Sequence, residues 1–161
     1  MVMTKSPLVT RDVDLLARLD ADVGVSLTAA HDELCRAFEG RAPPIERRLE
    51  ALSELNRAGL RTFVFLGPLF PHLVDQPRRL DELFSAVRAA GTRRALLAHF
   101  NLRRAVRQRV MDQVAPTHPE LVERYYRRPV RGLKARLGAL ALDGARRHGL
   151  ELQHPDVIDH Y

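Results

Sequence analysis

Apolar residues fall into two patterns along the chain, and each predicts its own kind of element. Thr62 to Leu66 is a short, unbroken apolar run rich in β-branched and aromatic residues. That is the pattern of a strand buried on both faces in a parallel sheet. Val23–Thr28 and Ala95–Ala98 are similar runs, and residues 1–6 read as the tail of a strand that Pro7 ends. Between these runs the apolar positions recur at helical spacing. Leu15, Leu16 and Leu19 stripe a helix over 11–19, and Ile45, Leu49, Leu52 and Leu55 stripe one over 45–58. Leu80, Leu83, Phe84 and Val87 stripe a third, which opens near Asp75 and Pro77. The connection over 29–45 has room for one helical turn around Leu34 and Phe38. From Asn101 onward the pattern is helical only, with Leu102, Val106, Val110 and Val114 on one narrow stripe. Thr117-His118-Pro119-Glu120 has the form of a capping box for a short helix to Tyr126. A longer helix runs over 130–148 up to Gly149, and 151–161 is expected to be irregular.

One junction occurs twice. Ala58-Gly59-Leu60-Arg61-Thr62 and Ala90-Gly91-Thr92-Arg93-Arg94 each close a helix with glycine and lead into a strand. Glycine suits that place because it takes a left-handed conformation without strain. The spacing matches one βα unit. The predicted fold class is therefore α/β: a partial (βα) barrel of about four parallel strands over 1–100, followed by a helical extension over 101–161. A closed eight-stranded barrel takes about 250 residues, so 161 residues suit part of one. Gly67-Pro68 is expected to stop the central strand, and Pro71 to stiffen the loop beyond it. In such folds ligands bind at the carboxyl ends of the strands.

Composition narrows the class. Hydrophobic residues make up 45% of the chain, enough for a packed core and too many for a disordered tail. The longest apolar run, near Phe63–Phe70, is broken by Gly67 and Pro68 and is too short to span a bilayer. The first residues lack the apolar core of a signal peptide, so a cytoplasmic location is expected. Net charge is +6 and arginine dominates; Lys5 and Lys134 are the two lysines. Arg103, Arg104, Arg107 and Arg109, then Arg127, Arg128, Arg131, Lys134 and Arg136, surround Tyr125 and Tyr126. Arginines interleaved with aromatics suit contact with DNA phosphates and bases; a solvated helix face has the same composition. Cys35 is the single cysteine, which excludes an intrachain disulfide and a multi-cysteine metal site, and a buried, inert thiol is its expected state. His31-Asp32-Glu33 lacks ligand spacing, and His154, Asp156, Asp159 and His160 read as a polar tail, so no metal site is expected. His99 ends a strand where active-site residues gather, but a histidine hydrogen-bonded in a loop is the simpler expectation.

An ordered series of motifs adds to this reading. Thr4-Lys5-Ser6-Pro7-Leu8-Val9-Thr10-Arg11-Asp12, Val25-Ser26-Leu27-Thr28, Asp32-Glu33-Leu34, Glu39-Gly40-Arg41-Ala42-Pro43-Pro44, Arg47-Arg48-Leu49-Glu50-Ala51-Leu52 and Gly67-Pro68-Leu69-Phe70-Pro71 follow one another. The series resembles the C-terminal half of radical S-adenosylmethionine proteins of the spore-photoproduct-lyase-like, DNA repair photolyase type. The resemblance is carried by residues 3–71 and thins in the helical region. It implies a partial six-stranded (βα) barrel, S-adenosylmethionine as cofactor, and a 4Fe-4S cluster that cleaves it reductively. Three thiolates of a C-x-x-x-C-x-x-C loop hold that cluster in the family, and no such loop occurs here. The resemblance places Lys5 at the cofactor's carboxylate and Ser26 at a hydroxyl contact. It also places Arg41 in the Glu-Pro-Arg-Ala-Pro loop, with Gly40 in place of the first proline, and Pro68 on the adenine side. A simpler role for Arg41 is to hold its loop through Glu39. Two functions follow. One is the cofactor-binding C-terminal portion of such an enzyme, inactive alone and completed by an N-terminal half or a partner chain. The other is a non-catalytic nucleic-acid-binding or scaffold protein derived from that fold. Unpaired strand edges also favour self-association.

Overall fold

The structure is a computed structural model that describes residues 1–30, 39, 41–100, 103–127 and 131–159. The expected turn around Leu34 and Phe38, the His31-Asp32-Glu33 triplet and Cys35 lie outside the described residues, as do Leu102, Arg128 and His160.

The apolar runs become a five-stranded parallel sheet. Its strands are β1 (Val2–Thr4), β2 (Asp22–Leu27), β3 (Arg61–Leu69), β4 (Arg94–His99) and β5 (Glu151–Leu152). They lie side by side in chain order. Right-handed crossovers that always step the same way put every connecting helix on one face. The fold is therefore α/β and singly wound, as in part of a barrel, unlike a doubly wound sheet whose strand order reverses.

A 3-10 helix over Pro7–Asp12 leads into α1 (Val13–Arg18). The later helices are α2 (Ile45–Arg57), α3 (Pro77–Ala89), α4 (Arg104–Val114), the single turn α5 (Pro119–Leu121) and α6 (Leu133–Arg147). The main core lies between sheet and helices. Val23, Val25, Leu27, Val64, Leu66 and Leu97 meet Leu52, Leu55, Leu83, Phe84, Leu137 and Ala141 there, all buried. The other face carries Gly24, Phe63, Gly67 and Ala98. The Gly24 backbone lies against the Phe63 ring, and Gly67 against Phe65 and Ala98.

Both junction glycines have the expected left-handed backbone, φ 78° at Gly59 and 89° at Gly91. Asn56 ties the two junctions together. Its amide donates to Ala90 O and Thr92 Oγ1, both at 2.8 Å, and its Oδ1 accepts from Thr62 Oγ1 at 2.6 Å.

Five details differ from the pattern. Gly67-Pro68 does not stop β3, which continues to Leu69 through a register shift between Leu66 and Leu69. The shift is a bulge-like irregularity, the setting in which a strand tolerates proline. Residues 151–158 are not irregular throughout. Glu151 and Leu152 pair with Arg94 and Ala95, and Ile158 bridges to Ala98, so the chain's end joins the sheet. The capping box does not form. Thr117 Oγ1 turns back to Val114 O, His118 is the N-cap without a side-chain bond, and a π-helical turn over Val122–Tyr126 follows α5. Of the three leucines in and just after α1 only Leu16 is buried; no described element covers Leu15 and Leu19, which are exposed. On α2 the fully buried side chain between Ile45 and Leu52 is Arg48, while Leu49 is only half-buried.

Candidate functional site

A cleft of about 840 Å³ opens by the carboxyl ends of β1 and β3. Its walls come from three regions. Lys5 follows β1, and Pro68 and Phe70 end β3. Glu39, Arg41 and Ala42 form the loop before α2. Val106, Arg109, Val110 and Gln113 are one face of α4, with Phe100 beneath. The α4 face follows from the i, i+3, i+4, i+7 spacing of those four residues. A groove of similar volume, about 890 Å³, lies between α2 and α3 in the helix layer. Its Glu50, Asp81 and Glu82 are already paired with Arg47, Arg147 and Arg78.

Lys5, Arg41 and Pro68 thus share one cleft, and Ser26 stands beside it without forming its wall. The ladder pairs Met3 with Gly24 and Thr4 with Val25, so Lys5 and Ser26 continue the same register on adjacent strands. The period of two puts both on the face of Met3 and Gly24. Ser26 is buried, and no described residue hydrogen-bonds its Oγ.

The organiser of the site is a residue the apolar pattern hid. Arg48, 1% exposed, sends its guanidinium up from the first turn of α2. Nε donates to Pro43 O at 2.8 Å, Nη1 to Ser26 O at 3.2 Å, and Nη2 to Glu39 Oε2 at 2.8 Å. Glu39 Oε1 in turn lies 3.4 Å from Lys5 Nζ. The loop is therefore held through Glu39 by Arg48, not by Arg41 as the simpler reading of that loop expects. One signal for this was available: position 48 is three residues after Ile45 and four before Leu52, on the apolar face of α2.

The tail is less free to meet nucleic acid than its composition suggests. Tyr125 and Tyr126 are core residues, 5% and 0% exposed, so neither ring is available for stacking on a base. Tyr125 Oη donates to Asp75, and burial, helped by that bond, pushes its pKa up to about 12. Arg124 pairs with Asp75, Arg127 with Glu123 and Lys134 with Asp159. The side chains of Arg107, Arg109, Arg131 and Arg136 make no ion pair or hydrogen bond among the described residues. His99 sits buried between β4 and Gly138 of α6, and burial lowers its pKa. His154 Nδ1 is engaged by the backbone of Asp156. Among the described residues no group of three or more His, Cys, Asp or Glu is placed to hold a metal ion. Among the described residues no helix is long and apolar enough to cross a membrane.

His72 follows β3 in a 3-10 turn, 1% exposed and stacked on Phe70 at 5.7 Å. Burial, helped by Arg79 and His118, lowers its pKa from 6.5 to about 4. The unfolded chain binds this proton more readily, so the stability that neutral His72 supports is complete above about pH 6.5 and is lost progressively down to about pH 4. A shift of that size is worth at most about 3 kcal/mol. Urea midpoints taken from pH 7.5 to 4 should fall across this window, and His72→Gln should flatten the fall. An unchanged pH profile in His72→Gln would show that other groups drive it.

The residues present fit one expected cofactor and not the other. The Lys5 ammonium, now 3.4 Å from Glu39 Oε1, the Ser26 hydroxyl beside the cleft, without a partner among the described residues, and the apolar Pro68 are groups that suit a ligand with a carboxylate and an adenine. A 4Fe-4S cluster needs three thiolates, and a chain whose one cysteine is Cys35 does not supply them.

Fold and cleft together define a singly wound α/β protein with a cleft at the strand ends. In sequence the chain is 35% identical over 134 residues to an uncharacterized protein of Mycobacterium tuberculosis, a match covering 79% of this chain and 39% of that protein. An uncharacterized protein of Methanocaldococcus jannaschii is 33% identical over 75 residues, 46% of this chain and 29% of that protein. One of Acidianus two-tailed virus is 37% identical over 73 residues, 44% of this chain and 24% of that protein. The chain thus spans about two fifths of the length of the mycobacterial relative and less of the others. No family model and no solved structure matches it.

Proposed function

We propose that this chain is the C-terminal, cofactor-binding part of a larger barrel enzyme of the radical S-adenosylmethionine, spore-photoproduct-lyase-like type. The observation that carries this reading is where apolar surface is left bare. Met1, Val2, Met3, Leu8, Leu15 and Leu19 are exposed, and apart from Val106 these are all the exposed large hydrophobics among the described residues. Met1, Val2 and Met3 belong to or adjoin the edge strand β1, and Leu8, Leu15 and Leu19 belong to the first crossover that follows it; a further βα unit of a barrel would pack along that edge. The greater length of the relatives agrees with such a unit. Self-association through the same edge is the competing occupant.

In this reading Lys5 neutralises the cofactor's carboxylate once Glu39 yields it, Ser26 offers its hydroxyl, and Pro68 gives the adenine an apolar wall. Arg41 contributes a second cation at the rim. The bound cofactor supplies radical chemistry, which depends on a cluster that this chain's residues cannot hold. The single cysteine favours the second reading, a non-catalytic nucleic-acid-binding or scaffold protein.

The coding DNA upstream of Met1 separates the two. An in-frame C-x-x-x-C-x-x-C supports the enzyme, and unrelated sequence or a stop codon there overturns it. In the completed protein, Lys5→Ala should weaken S-adenosylmethionine binding about ten- to a hundred-fold. A charge-assisted hydrogen bond is worth about 1.5–3 kcal/mol, and each 1.4 kcal/mol is about tenfold. Isothermal titration measures this, and unchanged affinity would leave Lys5 as a strand-end residue paired with Glu39.

A further inference from the structure

The α4 wall of the cleft is not used by the cofactor reading, which takes Lys5, Ser26, Pro68 and Arg41, and its one cation, Arg109, shares the cleft with Arg41. At the base, Lys5 and Arg48 converge on Glu39. At the rim, Arg41 and Arg109 line the same cleft from opposite sides, one on the loop before α2 and one on α4. Both are exposed, and neither side chain makes a hydrogen bond or ion pair among the described residues. The one acid among the described residues lining the cleft, Glu39, is already shared between two other cations. Two guanidinium groups facing one space repel until an anion enters it.

We infer that Arg41 and Arg109 form a phosphate clamp that holds a phosphate ester of nucleotide size in the outer half of the cleft. A carboxylate offers two oxygens and satisfies one guanidinium fork. A phosphate offers three or more oxygens in a tetrahedron and can take two forks from different directions. Gln113, one turn beyond Arg109 on the same face of α4, adds a neutral donor and acceptor. Val106, 39% exposed, together with Pro68, gives an apolar surface for the body of the ligand. A volume of about 840 Å³ holds a nucleotide. The inference shares a cleft with the cofactor reading but stands on α4, whose residues that reading does not use.

The phosphate can belong to a nucleic-acid strand or to a free nucleotide, and the test separates them. The chain is titrated with a fluorescein-labelled single-stranded tetranucleotide, with adenosine monophosphate and with inorganic phosphate, each at several salt concentrations. A strand substrate is indicated if the tetranucleotide binds at least tenfold more tightly than adenosine monophosphate, and a free nucleotide if the order is reversed. Arg41→Ala and Arg109→Ala should each weaken the preferred ligand at least tenfold. For the tetranucleotide each should also lower the salt slope by about 0.7–1, the share of one phosphate contact. Arg109→Lys, which keeps the charge and loses the fork, should fall between wild type and Arg109→Ala. Arg57→Ala is the control, removing an exposed, unpaired arginine from the opposite end of the strands; it should change binding less than twofold. Absence of binding by the wild type, or equal losses in Arg57→Ala and Arg109→Ala, overturns the clamp. S-adenosylhomocysteine is titrated in parallel. Arg109→Ala should leave its affinity unchanged, so failure of the clamp and failure of the cofactor reading give different results.

Discussion

Replacing Arg48 with alanine is expected to cost the fold about 3–5 kcal/mol, the range for breaking a buried charge pair from one side. The guanidinium is 1% exposed and has three acceptors to account for. Pro43 O and Ser26 O would lose their donor, and the Glu39 carboxylate, 11% exposed, would lose its closer cation. Unpaired buried acceptors each carry a desolvation penalty of about 1–3 kcal/mol. Urea denaturation measures the total, with an unchanged m-value showing that the unfolded state is not the cause. Two further variants divide the effect. Arg48→Lys keeps a charge but has one donor centre where the guanidinium uses three nitrogens, so it should recover only part of the loss. Adding Glu39→Gln to Arg48→Ala should also recover part, because it removes the stranded carboxylate. A loss below about 1 kcal/mol in Arg48→Ala, or no recovery on neutralising Glu39, would show that Arg48 does not hold the loop.

Arg48 also shows where sequence reasoning met its limit. Apolar periodicity located α2, yet the same rule sets charged residues on the solvent side, and a lone arginine on the apolar stripe passes for noise. Its buried role depends on two carbonyls and a carboxylate brought near by the sheet, and no local pattern encodes that meeting. Gly59 and Gly91 were legible because few residues other than glycine accept a positive φ at a helix end. The strands β2, β3 and β4 were legible because helices cover one face and side chains such as Phe63 pack on the other. By contrast, β5 is two residues held by pairing with β4, too short for any periodicity. Continuation of β3 through Gly67-Pro68 depends on a register shift that only the neighbouring strand reveals. Lys5 and Ser26 were found through a resemblance, not a pattern. Arg109 lay in view as one of many arginines; which of them face the cleft became clear only when α4 was packed against it.

The second large effect is expected on the sheet face away from the helices. Phe63 is fully buried there, and its ring lies on the bare backbone of Gly24 in the next strand. A Cβ built on Gly24 would stand 2.2 Å from Phe63 Cζ and 2.5 and 2.7 Å from its Cε atoms, far inside contact distance. The ring has little room to retreat. Asp22 and Arg94 flank β3 on this same face and join across it, Nη1 to Oδ1 at 2.6 Å. That bond holds the Asp22 carboxyl below its usual pKa. Phe63→Ala should therefore cost about 3–5 kcal/mol as a cavity, and Gly24→Ala about 1–3 kcal/mol as an overpacked contact. The two losses should not add. Once the ring is gone a methyl group at position 24 meets open space, so the double variant should be more stable than the sum of the single effects by at least about 1 kcal/mol. Thermal and urea unfolding of the four proteins gives this coupling. Strict additivity would mean that the Phe63 ring does not rest on Gly24, and that something other than the ring sets the need for glycine at position 24.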